Sequence, residues 1–191
     1  MMVFTHVVAG LFAGAQAVQF LHLNGMAAVW LLAGAAAGAL LPDIDHPQSW
    51  LGRRIPWVSR PIAAVFGHRG ITHSLLAVVG VALALRHGLA TWTLGAAWTW
   101  VAAGVAAGYL SHLGGDFATH GGVPLLWPWK RRFSLPLTFQ TGGIFEQLLA
   151  IALVGGTAWV LAGLFAPWAQ ADALALLRDW TALTARALRA S

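Results

Sequence analysis

His68-Arg69-Gly70-Ile71-Thr72-His73-Ser74 joins a polar, arginine-bearing loop to a hydrophobic run. At this spacing His68 and His73 cannot stack on one helix face, whereas a turn at Gly70 followed by a helix brings them together. Groups of the same chemical kind lie on either side. Asp43, Asp45 and His46 come before, His112 and Asp116 after, and His6 and Glu146 further out. If the stretch is the mouth of a membrane-spanning helix, all of them meet at one membrane surface. That possibility decides the fold.

Composition points the same way. Of the 191 residues, 59% are hydrophobic and 9% charged, against about 45–50% and about 25% in soluble domains. Such a chain cannot cover itself with a water-facing surface, so a bilayer is its natural solvent. The absence of cysteine excludes disulfides and thiolate metal sites. The basic residues behind the net charge of +5 lie beside apolar runs, which fits anionic headgroups better than nucleic acid. No Lys or Arg precedes the first apolar run, so it does not read as a cleavable signal peptide.

Five hydrophobic runs, residues 3–23, 26–41, 72–85, 91–110 and 144–165, are candidates for membrane spans, the second and third being short. Gly10 and Gly14, Gly34 and Gly38, and Gly104 and Gly108 repeat at the four-residue spacing that lets helices approach closely in lipid. Residues 42–71 mix Trp50 and Trp57 with Arg53, Arg54 and Arg60, a headgroup-layer composition that predicts an interfacial or re-entrant segment. A second such loop, residues 114–141, carries Trp127, Trp129, Lys130, Arg131 and Arg132, with Pro124, Pro128 and Pro136 preventing a long helix. In the tail, Asp172, Asp179, Arg186 and Arg189 fall opposite Leu174, Leu177, Trp180 and Leu188, as in an amphipathic surface helix. The expectation is an all-α membrane protein with about five transmembrane helices: a membrane-embedded domain over residues 1–166 and an amphipathic tail over 167–191.

Threading five spans puts the loops after the second and fourth runs on the side where the chain starts. Arg53, Arg54, Arg60, Arg69, Lys130, Arg131 and Arg132 lie there, which makes that side cytoplasmic. The same threading gathers His6, Asp43, Asp45, His46, His68, His73, His112, Asp116 and Glu146 there. Of six acidic residues only Asp172 and Asp179 fall elsewhere, and of eight histidines only His22 and His87 fall on the other side. Ionisable groups beside lipid are costly without a partner. A bound metal supplies one.

Each group also has a plain structural reading: a capping aspartate at Asp116, a turn at Asp43 and Asp45, a helix-start cap at Glu146. None of these explains why nearly all acids and histidines share one side. His112 and Asp116, four apart, share a helix face; Asp43 and Asp45 reach a common site if extended, one of them bridging two ions. Mixed imidazole and carboxylate donors suit Zn²⁺, Mn²⁺ or Fe²⁺, as one ion or two. His46 and His120 are candidates to orient ligands by hydrogen bonding.

Thr5-His6, Leu41-Pro42-Asp43-Ile44-Asp45-His46, residues 68–74, and Ser111-His112-Leu113 through Asp116, Thr119, Gly122 and Leu125-Leu126-Trp127-Pro128 resemble the membrane-bound predicted metal-dependent hydrolases, the YdjM-like family, whose bacterial members include LexA-regulated inner-membrane proteins. The resemblance spans about residues 5–146. It implies a multi-helix hydrolase of the bacterial inner membrane whose metal is held by those aspartates and histidines, and it names no substrate. A more distant similarity to zinc phospholipase C and P1-type nucleases rests on the HxxxD spacing alone and hints at phosphoesters.

Together these readings predict a hydrolase at the cytoplasmic membrane surface acting on a lipid-like ester or phosphoester. Asp43, Asp45, His68, His73, His112, Asp116 and His6 are the expected ligands of a divalent metal, zinc first. Glu146 is the expected proton carrier, and Arg69 the expected partner of a phosphate or oxyanion. Ser74 is an alternative nucleophile, although no GxSxG elbow surrounds it. The competing class is a non-enzymatic metal-binding scaffold or ion carrier; a carrier would place its polar groups near mid-membrane. The residues specify no oligomeric state.

Overall fold

The computed structural model describes residues 1–91, 95–129, 131–167, 170–171, 173–178 and 180–181. It is all-helical, with no strand among the described residues beyond two isolated bridges in the loop before the last helix. Five long helices match the five apolar runs: α1 (Val3–Phe20), α2 (Gly25–Gly38), α4 (Leu75–Thr91), α5 (Ala96–Phe117) and α6 (Ile144–Phe165). Between α2 and α4 lies the shorter α3 (Pro56–Phe66), flanked by 3-10 turns at Pro42–Asp45 and Ile71–His73. By length and hydropathy Val3–Phe20, Gly25–Asp45 and Ile144–Phe165 suffice to cross a bilayer, and Leu75–Gly88 is apolar but shorter.

The bundle is turned inside out relative to a soluble protein. Phe20, Phe145, Ile151 and Leu137 are exposed, while His6, Asp45, His73, His112, Asp116 and Glu146 are fully buried. Apolar burial gains little where the solvent is itself hydrocarbon, so tight packing must hold the helices together. The glycines provide it. A methyl added at Gly34 or Gly38 on α2 would collide with the carbonyl of Val101 or Val105 on α5, and one at Gly104 or Gly108 with that of Leu31 or Ala35 on α2. A methyl at Gly10 or Gly14 on α1 would meet Ala39 or Ala35. The two central helices therefore touch backbone to backbone, with α1 against both and α6 against α1.

The segment between α2 and α4 folds as its composition suggests. Pro56 opens α3, which exposes Trp57, Val65 and Phe66, and Gly67 closes it at φ 75°, a left-handed conformation that suits glycine. Ser74 starts α4: its hydroxyl donates to the Ile71 carbonyl at 2.6 Å and accepts from the Ala77 amide at 3.3 Å. That is a helix cap, and it explains why α4 begins at Leu75 rather than Thr72. Residues 118–143 form the irregular loop that the prolines call for.

In the tail, residues 173–178 and 180–181 are helical, with Leu174, Leu177 and Trp180 exposed. Lys130, Asp172, Asp179, Arg186, Leu188 and Arg189 lie outside the described residues.

Candidate metal centre

Five element ends meet at one end of the bundle: the starts of α1 and α6, the two 3-10 turns and the end of α5. Within α5, His112 and Asp116 point inward on one face, with His112 Nε2 3.7 Å from Asp116 Oδ2. His112 Nδ1 lies 2.6 Å from the Ala39 carbonyl oxygen, which can only accept. The proton therefore sits on Nδ1, and in the neutral ring Nε2 presents its lone pair to the cluster. His73 does the same from the second 3-10 turn. Its Nδ1 is 3.2 Å from Asp45 Oδ2, and its Nε2 is 3.3 Å from His112 Nε2 and 3.5 Å from Asp116 Oδ2. Asp43 completes the group, Oδ1 being 3.9 Å from His73 Nε2 and 3.8 Å from His112 Nε2.

Four donor atoms from the two 3-10 turns and the end of α5 thus converge, His73 Nε2 and His112 Nε2 each lying 3.3–3.9 Å from one another and from the two carboxylate oxygens. A tetrahedral shell with bonds of about 2.0–2.1 Å has edges of about 3.3–3.4 Å, so the two imidazoles already stand at such an edge and each carboxylate oxygen lies within a few tenths of an ångström of one from both of them. A second group overlaps the first. His6, His112 and Asp116 offer atoms within 4.8 Å of one another, as do Asp43, His73 and His112. The His6 ring stacks on His112 at 3.6 Å, its Nε2 is 3.4 Å from Asp116 Oδ1, and its Nδ1 is buried without a hydrogen-bond partner. Two imidazoles aimed at the cluster through Nε2, two carboxylates and an orphaned buried nitrogen fit a divalent cation with nitrogen and oxygen ligands.

The electrostatics agree with a site that seeks positive charge. Burial opposes the imidazolium of His73, but hydrogen bonds and charge from Asp116 and Asp45 outweigh it and hold its pKa above the ordinary value. Asp116 Oδ1 already accepts from the Arg69 guanidinium at 2.9 Å and from the amino terminus at 2.8 Å. His46, at the rim, is pushed the other way, first by burial and then by His68.

Other expected members stand elsewhere. Asp45 is fully buried behind His73, where its oxygens face the Gly70 amide, the Thr72 hydroxyl, His73 Nδ1 and His68 Nδ1. The reason is the turn: at three residues per turn, side chains two apart diverge, so Asp43 and Asp45 cannot face one point as an extended segment would allow. Asp45 braces His73 and His68 from behind and stands outside the donor group. His68 also stays out of the donor group: its side chain is half-exposed, Nδ1 lies 3.3 Å from Asp45, and its ring leans on His46 at 4.3 Å. Glu146 is buried with both oxygens occupied, accepting from the Met2 amide at 2.6 Å and the Gly142 amide at 2.7 Å. It ties the start of α1 to the start of α6, which removes the reason to assign it proton transfer. His120 is exposed.

Two residues passed over in the sequence support the site: Thr72, whose hydroxyl reaches Asp45, and Tyr109, whose hydroxyl donates to the Thr72 carbonyl. Tyr109 is the sole tyrosine and sits three residues before His112, a spacing that could have flagged it.

A polar cleft of about 360 Å³ opens over the cluster, lined by His6, Asp43, His46, His68, Arg69 and Arg53 among others. Arg69 holds φ 53°, a conformation that costs a non-glycine residue about 1–3 kcal/mol and that aims its guanidinium back at Asp116. Gly70 makes the fold-back possible, since a Cβ there would strike the carbonyl of Phe66.

The family model described as YdjM inner membrane protein matches residues 1–184. The chain belongs to the YdjM inner membrane protein family. Among its YdjM-family relatives, "Inner membrane protein YdjM" of Escherichia coli K12 is 44% identical over 136 residues, 68% of this chain. The match spans 66% of that relative, just under two thirds of its length. "Uncharacterized protein YvsG" of Bacillus subtilis 168 is 36% identical over 149 residues, 78% of this chain and 87% of the relative. No solved structure matches the chain.

Proposed function

We propose that the chain is a metal-dependent hydrolase of the inner membrane, acting on a lipid-like ester or phosphoester at the cytoplasmic surface. The observation that carries the reading is the convergence of His73 Nε2, His112 Nε2, Asp43 Oδ1 and Asp116 Oδ2 beneath an open polar cleft. Asp43, His73, His112 and Asp116 would hold the ion, with His6 beside them for a second. Zinc suits this donor set best, with manganese and iron as neighbours. When bound, such a cation supplies Lewis-acid polarisation and water of lowered pKa.

The chain's own residues supply the rest. Asp45 and the Ala39 carbonyl hold His73 and His112 with their Nε2 atoms on the cluster. Arg69, pinned to Asp116 at the edge of the cleft, offers its charge to a phosphate or developing oxyanion. His68 replaces Glu146 as the proton carrier, because it lines the cleft, exchanges with solvent and is oriented by Asp45. Arg53, Arg54, Arg60, Arg131 and Arg132 flank this end of the bundle, the cytoplasmic end by the positive-inside rule.

The test is metal content and hydrolysis on purified protein in detergent. Wild type should carry about one or two equivalents of metal and cleave phosphodiester or acyl ester probes. Asp43→Asn, Asp116→Asn and His112→Ala should lose both. Metal-free wild type would overturn the reading. Metal without cleavage of any lipid class would leave a metal-stabilised scaffold.

A further inference from the structure

Beside the cleft lies a second cavity of about 310 Å³, lined by Phe66, His68, Arg69, Pro124, Trp127 and Arg132, with Gly70 at its wall. His68 and Arg69 line both spaces, so the two cavities adjoin at these side chains. Among the described residues no carboxylate lines the cavity, and its charges are two guanidiniums.

Both guanidiniums are tethered to one turn. Arg69 Nη1 lies 3.5 Å from the Gly122 carbonyl and Arg132 Nη1 donates to the adjacent Gly121 carbonyl at 3.1 Å. The Arg69 guanidinium lies directly against this turn, in the space a Cβ at Gly121 would take. Phe66 and Trp127 meet edge to face at 6.0 Å and form an apolar wall. Arg69 shares its charge with Asp116, whereas among the described residues no carboxylate pairs with Arg132. Each guanidinium has five N–H donors, so most of those on Arg132 remain for a ligand. Two positioned forks, surplus positive charge and a small volume describe a receptor for a tetrahedral oxyanion.

We propose that this cavity is a phosphate subsite. It holds a phosphate group, of a lipid headgroup or of a soluble ester, between Arg69 and Arg132. The remainder of the molecule extends past His68 and Arg69 into the adjoining cleft toward Asp43. That last step rests on the metal-hydrolase reading; the phosphate site does not.

The experiment is calorimetric titration of the full chain in detergent with inorganic phosphate, glycerol 3-phosphate and dihexanoyl phosphatidic acid, with dihexanoylglycerol as the uncharged control. Wild type should bind phosphate-bearing probes and ignore the control. Arg132→Gln should weaken binding at least about tenfold with metal content unchanged, and Arg132→Lys should recover part of it, a point charge replacing a fork. Preference for phosphatidic acid over both soluble probes assigns a lipid headgroup, and equal binding assigns a soluble ester. Asp43→Asn should lose metal and keep phosphate binding. Arginine-dependent phosphate binding by a chain that holds no metal would sink the hydrolase reading and leave the subsite standing. Equal binding by wild type and Arg132→Gln, or by control and phosphate probes, would overturn the subsite even if the metal is present.

Discussion

Asp45 accepts from the Gly70 amide, the Thr72 hydroxyl and the rings of His68 and His73, so its charge reaches the cluster only through imidazole. A ligand and an orienting group differ in what their loss does. Asp45→Asn should weaken metal affinity about 10–100-fold and still fill at saturating metal, whereas Asp43→Asn should not fill. Competition with a chromophoric chelator separates the two; identical behaviour would return Asp45 to the ligands. His6, Asp43, His73, His112 and Asp116 were legible as a set because charged groups beside lipid need partners, and topology alone sorts them to one side. The partition within the set was not legible. It depends on a 3-10 turn at Pro42–Asp45 and on backbone amides at Met2 and Gly142 that claim Glu146.

The five long helices were readable from the apolar runs, and the glycine pairs announced how they pack. Their ends were less so: α4 starts where Ser74 caps it and α5 runs on through Asp116, since a helix end follows local hydrogen bonds rather than hydropathy. The glycines differ in a testable way. Gly38 faces the Val105 carbonyl, while Gly80 on α4 has open space around it. Gly38→Ala should destabilise by about 1–3 kcal/mol through overpacking. Gly80→Ala should stay neutral or stabilise by up to about 1 kcal/mol, by helix propensity. Thermal unfolding in detergent measures both. Equal effects would mean that the α2–α5 contact is looser than the geometry has it.

The absence of native cysteine permits a clean test of which way the whole molecule faces. Gln48 is exposed beside the cleft and Asn24 is exposed in the turn at the other end of the bundle. In intact cells a membrane-impermeant maleimide should label Asn24→Cys and spare Gln48→Cys; inverted vesicles should reverse the pattern. Labelling of Gln48→Cys from outside would put the site on the outer side and undo its assignment to cytoplasmic lipid. The collection of arginines at the end that holds the cluster was legible in the two loops that carry them. The function of individual arginines was not, because Arg54 spends its charge on the Trp50 ring at 3.6 Å while Arg69 turns inward.

The backbone contact between α2 and α5 has one more consequence. Sliding one helix along the other by a single residue, about 1.5 Å, would drive peptide carbonyls into alpha carbons at four places along the seam. Stretching or thinning of the surrounding lipid must then lean the pair as one beam. The vertical offset between the Asp43 turn and the Asp116 helix end is therefore set by protein and not by bilayer thickness, so the same chain keeps its donors in register in membranes of different composition.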